Sequence, residues 1–146
     1  MADSSNTQFA IGVHVLTLLY ASDGERVSSE VLAGSAGSNP VHIRRILGRL
    51  REAGLVESSP GPGGGWLNTR DPEDVTLADV RQALHAGDRV LGVHGAHPDC
   101  SVGQQIQSEL EQIDDRAVEA LDRELSRTTL AELVARSNAR SFVNAA

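Results

Sequence analysis

Four arginines crowd one short stretch of the chain: Arg44, Arg45, Arg49 and Arg51. A guanidinium is planar, permanently charged and carries its donors in a fixed fork. A row of them therefore suits phosphate oxygens and the acceptor edges of bases. All thirteen basic residues are Arg, a preference that a compositional habit of the source genome would also produce. By itself the run fits a solvated helix face as well as a nucleic-acid surface. A second group is Cys100 with His94 and His97, spaced by three. Three readings stand for it: a redox-sensing thiol, a metal or small-molecule site, or a polar loop whose lone cysteine packs against a helix start. A helix N-terminus and a nearby imidazolium would favour the thiolate, whereas Asp99 would oppose it. His14 and His85 read as structural or surface residues, and Trp66 as a packing residue at the base of a hairpin.

Other chemistries are excluded early. A single cysteine allows no internal disulfide, no Cys-rich zinc site and no all-cysteine iron–sulfur ligation within one chain. There is no phosphate loop, no acid pair set in apolar sequence and no nucleophile–base motif. No enzyme, no metal and no cofactor are expected. The 146 residues, 40% hydrophobic and 23% charged, suit one folded domain or a small domain with a long helical extension. Aromatics are only 3%, so the core must come from Leu, Val, Ile and Ala, which favours packed helices. No apolar run approaches the ~20 residues of a membrane span, and the first residues lack a signal-peptide pattern. A cytoplasmic protein without a membrane partner is expected.

The net charge of −7 argues against nucleic acid until its distribution is read. Residues 1–70 hold six Arg against six acids, whereas residues 71–146 hold seven Arg against fourteen and carry the whole excess. The arginine run lies in the neutral half.

The elements that must position these groups follow from periodicity and punctuation. Phe9, Val13, Leu16 and Tyr20 share one face of a helix from about Gln8 to Ala21. Ser28-Ser29 can cap a short helix holding Val31, Leu32 and Ala33, interrupted by Gly34-Ser35-Ala36-Gly37. Ser38 or Asn39 caps the next helix, with Pro40 in its first turn, and Gly54 stops it. Its stripe of Ile43, Ile46, Leu47 and Leu50 lies opposite Val41, Arg45, Gly48 and Glu52, flanked by Arg44 and Arg49. Residues 55–58 and 66–68 read as strands of a hairpin with a Gly/Pro-rich tip. Thr76 can cap a helix carrying Leu77, Val80, Ala83 and Leu84, and residues 86–100 read as irregular. Ser101-x-x-Gln104 fits a capping box for a long helix to about Ser126, and Thr129-x-x-Glu132 another for a last short helix with a frayed end.

Three helices followed by a hairpin is the order of a winged helix-turn-helix domain. The expected fold is therefore mainly α: such a domain with a two-stranded β wing and a long C-terminal dimerisation helix. Residues 1–75 would form the DNA-binding domain, 76–100 a post-wing helix and linker holding the candidate sensor, and 101–146 the dimerisation and C-terminal helices. The helix after Pro40 would enter the major groove of double-stranded DNA. The residues expected to touch DNA are Ser38, Asn39, Pro40, Val41, His42, Arg44, Arg45, Gly48 and Arg49, with Gly63, Gly64 and Arg70 from the wing region. Gly48, mid-helix on the outward face, costs roughly 1 kcal/mol relative to Ala, and close approach of a DNA strand would explain it. A winged-helix module that binds protein instead of DNA is the alternative.

The segments Phe9-Ala10-Ile11-Gly12-Val13-His14-Val15-Leu16, Asn39-Pro40-Val41-His42-Ile43-Arg44-Arg45-Ile46-Leu47, Leu50-Arg51-Glu52-Ala53-Gly54-Leu55-Val56 and Gly61-Pro62-Gly63-Gly64-Gly65-Trp66 resemble the Rrf family of bacterial winged-helix transcription regulators. So does Thr76-Leu77-Ala78-Asp79-Val80, and the resemblance covers roughly residues 8–135. It implies a homodimer in which a long C-terminal helix crosses the partner and each subunit reads half of an inverted repeat. Cluster-bearing members carry three cysteines before the long helix, where this chain has only Cys100, so a family-type cluster is not expected. Many relatives carry an Arg near the start of the wing tip, where this chain has Ser58-Ser59-Pro60, which leaves Arg70 as the nearest basic substitute.

The dimer is also expected from the residues. Val102, Ile106, Leu110, Ile113, Ala117, Leu121 and Leu125 recur at spacings of three or four along a helix over ~30 Å long. A head of residues 8–85 cannot cover that stripe, and monomers avoid so large an exposed apolar patch. The helix folding back on its own domain is the alternative. A regulator, more a repressor than an activator, is expected, answering to a small-molecule or redox effector through the Cys100 region.

Overall fold

The apolar run from Val15 to Ala21 is buried on every side, with Val15, Leu16 and Leu19 fully inaccessible. The helix that carries it, α1 (Ser4–Ala21), is therefore the central element and not a surface helix with one stripe. Leu16 and Tyr20 lie in the core as expected, while Phe9 and Val13 pack half-buried at its edge. The computed structural model describes residues 4–137, 139 and 141, with the backbone alone at 4–6. The helix begins at Ser4, four residues before Gln8.

Around α1 stand α2 (Ser29–Ala36), α3 (Pro40–Glu52), the antiparallel pair β1 (Val56–Ser59) and β2 (Gly65–Asn68), α4 (Leu77–His85), α5 (Ser101–Leu125) and α6 (Leu130–Arg136). Among the described residues the fold is thus mainly helical with one two-stranded sheet. Ser28 caps α2, its hydroxyl accepting the Val31 N–H at 3.3 Å. The helix runs on through Gly34 and Ser35, so the break expected at Gly34 comes only at Gly37, in the left-handed region at φ 61°. One glycine inside a helix is a tolerable cost when Leu32 and Ala33 beside it are buried.

The wing is register-locked, with Val56 opposite Asn68 and Ser59 opposite Gly65. Val27 extends it, exchanging hydrogen bonds with Trp66 at 3.0 and 2.9 Å. Gly65 makes this possible: at φ 130°, a Cβ there would lie 2.8 Å from the Val27 carbonyl oxygen. After the wing, a 3₁₀ turn at Pro72–Asp74 leads to α4, which opens on a full capping box between Thr76 and Asp79. Gly12 of α1 allows α4 to pack close, since a Cβ there would meet Leu84 Cδ1 at 2.5 Å.

Residues 86–100 form no helix or strand, as expected. They are nonetheless fastened down. The buried Asp114 carboxylate of α5 accepts the N–H groups of Val90 and Leu91 at 2.9 and 2.6 Å and pairs with Arg89 at 3.1 Å. Arg81 of α4 pairs with Asp122 of α5 at 2.8 Å. α5 packs chiefly on α4, and α6 then returns to the head, where Leu130 is fully buried and Leu133 and Val134 pack against the core. The expectation of a frayed end falls on residues outside those described.

Candidate nucleic-acid interface

The helix-turn-helix is built from α2 and α3. The N–H of Ser38 donates to the Ala33 carbonyl at 3.0 Å, which closes the turn after Gly37. Asn39, not Ser38, is the cap of α3: its Oδ1 accepts the His42 N–H at 2.8 Å. Pro40 takes the first helical position, where its missing N–H costs nothing. Ile43, Ile46, Leu47 and Leu50 are buried to within 1%, each worth about 1.5–3 kcal/mol of transfer free energy. This burial fixes the rotation of α3 and therefore which side chains face out.

Stepping ~100° per residue, the strip opposite the core runs through Val41, Gly48, Glu52 and Arg45. Val41 is 63% exposed, unusual for a Val on a folded domain. A Cβ added at Gly48 would meet nothing within 4 Å, so no packing among the described residues demands glycine there. Arg45 is exposed and has no intramolecular partner among the described residues. His42 is half-buried beside the helix start.

The other arginines are engaged, and the direction of each follows from its place on the helix. Arg44 leans toward α2 and pairs with Glu30 at 2.8 Å. Glu30 is held below the ordinary carboxylate range by its own backbone N–H and then by Arg44. Arg51 leans toward the wing and donates to the Ser58 hydroxyl at 3.1 Å. Arg49 leans the opposite way, donating to the Leu84 carbonyl of α4 at 3.0 Å and to Gln8 Oε1 at 3.3 Å. The expected role of Arg49 as a DNA contact thus meets a competing one, a tie between helices. Arg70, the basic substitute expected for the wing, is exposed and donates from Nη2 to the Asp74 carbonyl at 3.1 Å, on the turn that follows the wing.

Gly63 and Gly64 lie at the wing tip, and both have folding reasons to be glycine. Gly63 has φ 72°, and a Cβ on Gly64 would collide with the Ser59 and Gly61 carbonyls. Trp66 packs at the wing base, its Nε1 donating to the Ser29 hydroxyl at 3.0 Å. The wing is therefore clamped to the start of α2.

The sensor candidates are placed differently from the sequence reading. Cys100, not Ser101, caps α5: its Sγ accepts the Gly103 N–H at 3.3 Å while remaining exposed. Thiols are weak acceptors, so a sequence rule ranks Ser101 above it. His97 turns its Nδ1 to the Asp99 N–H at 3.2 Å. Among the described residues, no three His, Cys, Asp or Glu side chains converge as a metal site, so His94, His97 and Cys100 do not form one. His14 is exposed and bonded to Ser35 at 2.9 Å, and His85 is buried and paired with Asp88 at 2.9 Å. Asp114 carries no signal by spacing, being one acid among many on α5, and the partners of Arg81 and Glu30 lie 41 and 14 residues away in the chain.

On α5, the exposed apolar residues are Val102, Ile106, Ile113 and Leu121, with Leu110, Ala117 and Leu125 half-buried between them. Among the described residues nothing covers its four exposed members.

A capped, outward-facing third helix beside a glycine-built wing is the arrangement of a winged helix-turn-helix protein. The match to known proteins is at the level of the family. A model of the Rrf2 family, described as iron-dependent transcriptional regulators, matches residues 5–136, and the chain belongs to that family. It is 32% identical to YwnA of Bacillus subtilis, a candidate HTH-type transcriptional regulator, over 88% of this chain and 96% of YwnA. It is 28% identical to the HTH-type transcriptional regulator IscR of Photobacterium profundum over 68% of this chain and 57% of that one. Among solved structures, that of the global cysteine regulator CymR of B. subtilis superposes with a TM-score of 0.64 at 20% identity, over 94% of this chain and 98% of CymR. Among the described residues no three His, Cys, Asp or Glu side chains are placed together to hold the iron of the family description. With one cysteine in the chain and its sulfur capping α5, a cluster held by three cysteines of one chain does not fit. No helix among the described residues is long and apolar enough to cross a membrane.

Proposed function

We propose that the chain acts as a homodimer that reads an inverted-repeat operator in double-stranded DNA and represses by occluding it. The observation that carries the reading is the outward strip of α3: exposed Val41, open Gly48 and the unpartnered Arg45. These are an apolar contact for a thymine methyl, a place where a strand can come close, and a free guanidinium for a guanine edge. The dimer is supported by the uncovered stripe of α5, which a second copy would bury. A twofold axis would set two recognition helices about one DNA turn, ~34 Å, apart. Low positive charge overall keeps non-specific binding weak.

No metal or cofactor has a part in this reading. The response to a signal is assigned to Cys100, whose sulfur is exposed at the first turn of the dimerisation helix. Oxidation of the thiol would alter that cap. Selection from random duplex DNA, run with and without reductant, tests both parts. Enrichment of a twofold-related site in reductant is expected, with binding changed by peroxide in the unaltered chain but not in Cys100→Ser. No enriched sequence would overturn the operator reading, and an unchanged peroxide response in Cys100→Ser would overturn the sensor.

A further inference from the structure

The wing carries no cation of its own. Residues 52 to 69 contain neither Arg nor Lys, and Glu57 on β1 is already neutralised by Arg26 at 2.6 Å. A cation nevertheless lies along its root. Arg51 donates from Nη1 to the Ser58 hydroxyl at 3.1 Å, and its guanidinium carbon stands 5.7 Å from the centroid of the Trp66 ring. Trp66 is itself fixed, by Ser29 through Nε1 and by Val27 through its backbone.

Both partners of Arg51 are neutral, so its charge is not cancelled, unlike those of Arg26 and Arg44, which face Glu57 and Glu30. The hydroxyl and the π face hold the fork in place, which lowers the entropy cost of using it. Most of its five N–H donors stay uncommitted, and the residue is exposed. On α3 it sits six residues past Arg45, ~9 Å along the axis and rotated ~120° toward the wing. A duplex that receives the outward strip of α3 in its groove would present a sugar–phosphate strand on that side.

We propose that Arg51 is the phosphate contact of the wing: a preset fork, mounted on Trp66 and Ser58, that binds one backbone phosphate per protomer. This rests on the DNA reading above and adds to it a residue whose contribution is independent of sequence. Trp66 and Ser58 are then positioning residues.

The test uses the full chain and a random-sequence duplex of two to three helical turns, with affinity measured by anisotropy across a salt series. Arg51→Gln keeps a shorter stem and an amide donor but removes the charge. Its salt slope is expected to flatten by about one for each protomer bound. The affinity gap to the unaltered chain then narrows about threefold per protomer between about 50 and about 200 mM salt. Arg51→Lys, which keeps the charge, is expected to retain the slope. Circular dichroism confirms the fold of both. Should Arg51→Gln unfold, Arg51→Lys against Ser58→Ala decides instead: the slope must survive in both while affinity falls in Ser58→Ala. An unchanged slope in folded Arg51→Gln would overturn the assignment while leaving α3 as the reader. Failure of the unaltered chain to bind any duplex would overturn the operator reading and this one with it.

Discussion

Arg49 on the recognition helix donates to the carbonyl of Leu84, the next-to-last residue of α4, at 3.0 Å. The bond satisfies a carbonyl left open at a helix C-terminus and sets a cation against the negative end of its dipole. Through α4 it also reaches the linker, because Arg81 binds Asp122 of α5 and the Asp88 carbonyl at 2.8 and 3.2 Å. A displacement of α5 thus has a route of direct contacts to α3, the proposed reading helix. Arg49→Ala is expected to lower stability by about 1 kcal/mol, read as a shift in the urea midpoint at constant slope.

Asp114 should be the most sensitive carboxylate. It is 1% exposed and accepts from two backbone N–H groups and Arg89. Asp114→Asn removes the charge that all three donors face, at an expected cost of about 2–3 kcal/mol. Hydrogen exchange at Val90 and Leu91 should accelerate with it. Unchanged protection there would show that the linker is held by something else.

Tyr20 offers the opposite case, a change that improves the fold. Its hydroxyl is buried without a hydrogen-bond partner among the described residues, and burial pushes its pKa up to about 12. Tyr20→Phe removes an unsatisfied polar group and is expected to be stabilising by about 1 kcal/mol. The raised pKa fixes the sign at high pH. The unfolded chain ionises near 10 and the folded one only near 12, so stability is full below pH 10 and lost as the pH climbs toward 12. Thermal melts across that window should fall more steeply for the native chain than for Tyr20→Phe.

The α5 stripe gives a prediction about assembly. Ile106 and Ile113 are 48% and 42% exposed in the single chain. Ile113→Asp is expected to weaken dimerisation at least tenfold, about 1.4 kcal/mol, seen by sedimentation velocity as a shift to monomer. A native chain that sediments as a monomer throughout would remove the basis for paired half-sites.

Much of this architecture was legible from residue order. The caps at Ser28, Asn39, Thr76 and Thr129 are short side-chain oxygens next to apolar periods, which is a local signal. The core stripe of α3 was legible because its spacing allows one rotation only. What sequence could not supply was partner choice across the fold. Arg44, Arg45, Arg49 and Arg51 look alike in a string, yet Glu30, Leu84 and Ser58 claim three of them and leave Arg45. Those partners lie 14, 35 and 7 residues away, and only packing brings them near. Cys100 as a cap was missed because sulfur ranks low among cap acceptors, and Asp114 because its donors are linker amides with no side-chain pattern.

The central claim is that the free guanidinium of Arg45 reads a base edge. Its most direct test is the affinity of Arg45→Ala for a duplex selected by the native chain, beside its affinity for random duplex, with folding checked by circular dichroism. The account predicts a loss of about 1–3 kcal/mol on the selected duplex, relaxed preference at one base pair per half-site, and little change on random sequence. Equal loss on both duplexes, or none on either, would contradict it.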